Sequence, residues 1–265
     1  MTYSIMGDGR EVGRFISVEI REQEDETIVG RAFAIDHLRD EHGRMRAGAL
    51  LTMLDMVGGL CGGVASLPDG WVVSTNLAAR IVASAVVGPV RLESAVLRRG
   101  RNNVVTSARV YDEGGSDALV ANGVLTSAIL VPENGPPVWE RPIAIQTGAG
   151  ADDSVPPPIT DWLGVRPAGA GAIEIDLTDS LRNPWGILHG GVVAMLVDLA
   201  SERATGAPPN DVVLHFLAPN RTGPVRASVR SLGARADGEV VRVEVHDSGA
   251  DRVTAVAVAT CVTPE

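Results

Sequence analysis

A chain of 265 residues folds as one large domain or two small ones, and its 45% hydrophobic and 21% charged content is that of a globular protein. The net charge of -10 and the 3% aromatic content argue against nucleic acid as the partner, because no basic stripe with interleaved aromatics occurs. All 23 basic residues are arginine, which removes lysine Schiff-base and P-loop chemistry.

No uninterrupted apolar run reaches 18 residues, so no membrane span is expected. The first ten residues are polar and carry no signal-peptide core. Cys61 and Cys261 each sit in an apolar stretch and read as buried thiols rather than a disulfide. No Cys/His spacing suits zinc, and neither a metal nor a cofactor is expected. Together these readings place the chain in the cytoplasm.

In chain order, alternation and β-branching predict a strand over 27–35. The charged run 36–42 contains His37 and His42 but reads as a solvated loop. A helix follows over 46–65, with Leu50, Leu54, Val57, Cys61 and Val64 at steps of three and four. Strands are predicted over 71–83, 89–98, 104–111 and 119–130, with a turn at Gly114-Gly115. Residues 132–158 are rich in Pro, Gly, Asp and Ala and read as a linker. The order then recurs. A strand is predicted over 171–177, a helix over 189–205, and strands over 212–217, 225–232, 240–246 and 253–262. Turns fall at Asp237-Gly238 and Ser248-Gly249. His215 and His246 fall on strands and read as structural.

The recurrence is also one of sequence. Gly88-Pro89-Val90-Arg91 returns as Gly223-Pro224-Val225-Arg226, 135 positions later. The helix stretch ending at Asp55 returns 143 positions later, ending at Asp198. The eight-residue difference is read as a shorter loop after the second helix. Each half is thus α+β: a strand, one long helix, then antiparallel strands whose apolar face the helix covers. The expected division is 1–131, a linker at 132–158, and 159–265.

The second half contains Asn183, Gly186, His189, Gly190, Gly191 and Asp198 at fixed spacing. In these six positions the chain resembles the hotdog-fold acyl-CoA thioesterases of the phenylacetate-degradation, HGG-motif type. The resemblance implies a tandem double hotdog, each repeat an antiparallel sheet wrapped around one helix. It also implies hydrolysis of an acyl-CoA or acyl-carrier thioester, and a homodimer of double hotdogs as the assembly.

The residue types suit that chemistry. The N–H groups that open a helix have no internal partner and carry partial positive charge, so Gly190 and Gly191 can face an oxyanion. His189 can orient that turn or hold the carbonyl, and Asn183 can orient water. Asp198 lies nine residues past His189, about 13 Å along its own helix. The working carboxylate must therefore come from an antiparallel helix, and its equivalent there is Asp55. The family's serine beside the acid falls on Ser74. Gly191, Gly186 and Thr75 are candidate substrate-binding positions.

The catalytic set is therefore Asp55, Ser74, Asn183, His189 and Gly190. The opposite pairing would join Asp198 to Asp40, Arg46 and Ala47, with Pro209 in place of the serine, and reads as degraded. Two alternatives remain: a non-catalytic acyl-CoA binding module, and an enoyl-thioester hydratase. Hydratase relatives carry a paired Asp and His on one segment, which is not seen beside a helix here.

Overall fold

The computed structural model describes residues 10–262, apart from 24, 26, 34, 35, 85, 132–140, 147–155 and 170. The first half begins with a short helix, α1 (Arg10–Ile16), and two strands, β1 (Val18–Glu22) and β2 (Ile28–Ala32). The long helix α2 (Ala47–Ser66) follows. Next come β3 (Trp71–Ile81), β4 (Val90–Arg99), β5 (Asn103–Asp112) and β6 (Ala118–Leu130). A short strand, β7 (Ala144–Gln146), and a single turn, α3 (Ile159–Trp162), lie between the halves. The second half comprises β8 (Arg166–Pro167), β9 (Ala172–Ile175), α4 (Gly190–Thr205), β10 (Pro209–Phe216), β11 (Val225–Arg235), β12 (Gly238–Asp247) and β13 (Arg252–Val262).

All the strands join one antiparallel sheet in the order β7-β1-β2-β4-β5-β6-β3-β10-β13-β12-β11-β9-β8. The two halves meet where β3 pairs with β10, from Asn76↔His215 to Arg80↔Asp211. Each half wraps its strands round its own helix, and α2 and α4 pack against each other.

The repeat is visible in the irregularities of the sheet. The bulge between Ser74 and Asn76 recurs between Pro209 and Asp211, and that between Val96 and Arg98 recurs between Ser231 and Gly233. Both turns at the Gly-Pro-Val-Arg motif are held the same way. Asp112 accepts the N–H groups of Val87 and Gly88, and Asp247 accepts those of Arg221, Thr222 and Gly223. Both carboxylates are buried, as donor-rich turns permit.

Two expectations need correction. The eight-residue offset is not a loop alone: α4 is 16 residues against 20 in α2, and β10 is 8 against 11 in β3. The expected linker is also not a bare crossing. Part of it lies outside the described residues, but β7 pairs with β1, and the buried Glu22 takes the Arg141 guanidinium and the Ile143 N–H. Helix α2 is long and apolar enough by composition to cross a membrane, with a mean hydropathy of 1.5 over an 18-residue window, but 89% of that window is buried inside the fold. It is the core helix of its repeat. Cys61 and Cys261 are both buried thiols.

Candidate active site

The turn before α4 is built by Asn183. Its side-chain oxygen accepts the N–H groups of Trp185 (2.9 Å) and Ile187 (3.4 Å), and its backbone carbonyl accepts that of Gly186. Gly186 has φ +69°, a conformation that favours glycine, and does not line the cavity described below. Both residues were expected near substrate. Asn183 lines the cavity but spends its oxygen on the turn, and Gly186 serves the turn alone.

His189 caps the helix. Its Nδ1 accepts the Gly191 N–H at 2.9 Å, so that nitrogen carries no proton and Nε2 carries the ring's one N–H. Burial lowers its pKa, against the pull of Asp55, which keeps the ring neutral. The cap also occupies Gly191, which was expected to face substrate. Gly191 instead packs on the other helix, where a Cβ would lie 2.4 Å from Thr52 Cγ2. Gly190 is left as the helix-opening residue facing the cavity.

Asp55 comes from α2 and meets this helix end crosswise. A Cβ on Gly190 would lie 2.8 Å from Asp55 Oδ2. The other carboxylate oxygen accepts the Ser74 hydroxyl at 2.8 Å. Asp55 Oδ2 also approaches His189 Nδ1 to 3.8 Å. Both atoms are acceptors in this tautomer, so this is a contact and not an ion pair. Burial raises the Asp55 pKa above the ordinary carboxylate range, and the Ser74 hydroxyl and the Gly191 N–H only partly offset it. Thr75 is the bulged residue of β3; its hydroxyl bonds the Thr126 carbonyl while the residue lines the cavity.

The cavity beside these groups has a volume of about 450 Å³. From the first repeat its walls include Met56, Gly59, Leu60, Trp71, Val73 and Leu130, all without charge. From the second repeat it is lined by Asn183, Asn220 and Arg221 and by apolar residues that include Trp185, Val193, Phe216 and Leu217.

Residues 42–119 match the thioesterase superfamily, and residues 179–262 match the acyl-CoA thioesterase N-terminal domain. The chain belongs to the thioesterase superfamily. It is a tandem double hotdog and a thioester hydrolase. The narrower resemblance to the phenylacetate-degradation type rests on its motif residues alone. The thioesterase is similar in fold to an acyl-ACP thioesterase from Bacteroides thetaiotaomicron, at 15% identity and TM-score 0.59, covering 89% of this chain and 98% of that one. It is likewise similar to a 12:0-ACP thioesterase from Umbellularia californica (10%, TM-score 0.61, 89% and 93%). A tesB protein of Mycobacterium avium subs paratuberculosis is a third such relative (11%, TM-score 0.60, 92% and 96%). No curated protein matches the thioesterase by sequence.

The thioesterase builds the opposite crossing too, with different groups. Asp40 forms the same turn as Asn183, accepting the His42 and Arg44 N–H groups at 2.9 Å. Arg46 stands where His189 does, makes no side-chain cap, and pairs with Glu202 at 2.5 Å. Asp198 is 1% exposed and neither carboxylate oxygen has a hydrogen-bond partner among the described residues. Burial raises its pKa to about 6, although Arg46 pulls the other way. The Gly48 N–H faces it without closing a hydrogen bond. The cavity here is about 200 Å³, and Pro209 replaces the serine.

Proposed function

We propose that the thioesterase hydrolyses acyl-CoA or acyl-carrier thioesters at one composite site, made by Asp55 and Ser74 of the first repeat and His189 and Gly190 of the second. The observation that carries this reading is the approach of Asp55 to Gly190, with Ser74 on the far carboxylate oxygen. The thioester carbonyl lies against the Gly190 N–H, whose partial positive charge receives the oxyanion. Asp55 takes a proton from water as the water oxygen bonds the carbonyl carbon. The C–S bond then breaks, and the proton passes to the departing thiolate. A thiol of pKa about 8.5 leaves without a strong acid. Neutral His189 fixes the helix-opening turn and presents Nε2–H.

The proposed division is a first repeat at 1–131, a linker at 132–158 and a second repeat at 159–265. Two buried thiols suit a reducing, cytoplasmic setting. A homodimer of double hotdogs is proposed, and an apolar strip on the sheet supports it. Val124, Ala78, Val213 and Val258 are cross-strand neighbours over the junction, and the three valines are 37–41% exposed.

Thiol release from a panel of acyl-CoA and acyl-carrier substrates tests the function. Turnover is expected; binding without release would leave a binding module instead.

A further inference from the structure

We infer that Gly59 sets the depth of the acyl pocket, and that the substrate's acyl group is an extended apolar chain running along α2 from Asp55 past Gly59 to Trp71. The inference rests on the acyl-thioester reading of the cavity. It starts from the four glycines in the second half of α2, Gly58, Gly59, Gly62 and Gly63, each costing about 1 kcal/mol relative to alanine.

Packing accounts for three of them. A Cβ on Gly58 would sit 3.1 Å from Leu125 Cδ2 and Thr106 Oγ1, and one on Gly62 would sit 2.9 Å from Val104 Cγ1. A Cβ on Gly63 would lie 2.7–3.1 Å from carbons of the Trp71 ring. Gly59 differs. Its Cβ would meet nothing nearer than Leu125 Cδ2 at 4.0 Å, and the residue lines the cavity. Among the described residues nothing requires glycine there, and the space it leaves belongs to the cavity.

Position 59 shares a helix face with Asp55 and Gly63, at steps of four residues. From Asp55, Gly59 is about 6 Å along the axis and Gly63 about 12 Å. The Trp71 ring, laid on Gly63, closes that stripe. The walls on the way are Met56, Leu60, Val73 and Leu130, which offer no charge to a polar tail. On the second-repeat side the lining is largely apolar as well, with Trp185, Val193, Phe216 and Leu217, and its charged group, Arg221, suits the carrier portion.

The second repeat shows what a side chain at this position does. In the 143-residue register of the helices, the counterpart of Gly59 is Glu202. Its carboxylate reaches Arg46, the counterpart of His189, and both line the smaller cavity of about 200 Å³. The same helix face is open in one site and filled in the other.

The test uses non-hydrolysable thioethers, S-ethyl-CoA and S-decyl-CoA, titrated calorimetrically into the wild-type chain and into Gly59→Leu and Gly59→Ala. Both substitutions raise helix propensity, so thermal melting checks that the fold is kept. For Gly59→Leu the affinity ratio of S-decyl-CoA to S-ethyl-CoA is expected to fall by about tenfold or more, as buried methylenes are displaced. Gly59→Ala is expected to give a smaller fall in the same direction. An unchanged ratio in the folded leucine variant overturns the inference. The matching thioesters separate this from the functional reading. If the thioether ratio shifts but the wild-type chain cleaves neither thioester, hydrolysis fails and the role of Gly59 stands.

Discussion

At the scale of single residues, the two aspartates differ in what surrounds them. Asp55 has a hydroxyl on one oxygen and a helix opening at the other; Asp198 faces the opening of α2 at Gly48 but takes no hydrogen bond from any described residue. As the proposed base Asp55 must be ionised, and burial has raised its pKa. Turnover (kcat/KM) should therefore rise with pH through a pKa above the usual carboxylate range. Ser74→Ala removes a hydrogen bond that favours the charged form, so this limb should move upward, by about one pH unit for a charge-assisted bond. A pH–rate profile that stays in place would deny Ser74 that role.

Asp198 makes a separate prediction about stability. Its folded pKa of about 6 lies above the ordinary 3.8, so the folded chain holds this proton more tightly than the unfolded one. Stability from this group is full below about pH 4 and is lost as pH rises through about 6. The ionised form costs on the order of 2–3 kcal/mol, from about 1.4 kcal/mol per unit. Asp198→Asn should thus raise the melting temperature more at pH 8 than at pH 5. Equal shifts at both values would contradict the burial argument.

Much of this scale was legible in the sequence. The motif spacing named His189, Gly190 and, through helix length, Asp55. The bulge register of β3 and β10 agrees with the pairing of Ser74 and Pro209. What spacing could not show was competition for hydrogen bonds. Gly191 and Asn183 carry the right groups, but a cap and a turn use them first. Gly59 gave no signal, because a helical glycine looks the same whether it yields to a neighbouring side chain or to a ligand.

At the scale of elements, the helix pair depends on small residues at the crossing. Gly48 and Gly191 lie against the opposite helix, where added Cβ atoms would sit 2.8 Å from Met195 Cα and 2.4 Å from Thr52 Cγ2. The two should respond differently to alanine. At Gly48 the nearest obstacle is backbone, so Gly48→Ala should lower the unfolding free energy by a core-overpacking amount, about 1–3 kcal/mol, that trimming a side chain does not fully recover. At Gly191 the obstacle is a side chain, so Thr52→Ala should recover part of the Gly191→Ala loss. Denaturant melts of the single and double variants check this; strict additivity would mean that the contact does not matter.

The long elements were readable because their periodicity runs over many residues. The flanking ones were not. Strand β7 has three residues and lies inside a Pro- and Gly-rich stretch, so only its pairing with β1 reveals it. The offset between the repeats was readable as a number but not as a shorter helix and strand, since register counts residues and not their conformation.

At the scale of the whole molecule, the continuous sheet through β3 and β10 joins the two repeats, and the proposed site draws Asp55 and Ser74 from one and His189 and Gly190 from the other. A site made within one chain cannot be repaired by mixing. Asp55→Asn and Gly190→Val chains, each inactive, should remain inactive when refolded together; recovered turnover would place the site between chains.

The central claim is that one crossing of the helices hydrolyses the thioester and the other does not. The most direct measurement is thiol release from one acyl-CoA by Asp55→Asn and Asp198→Asn, side by side with the unaltered chain. Loss of a general base predicts a fall of about 10²–10⁴ for Asp55→Asn, with Asp198→Asn retaining most of the activity. The reverse ranking, or an equal loss in both, would contradict the account.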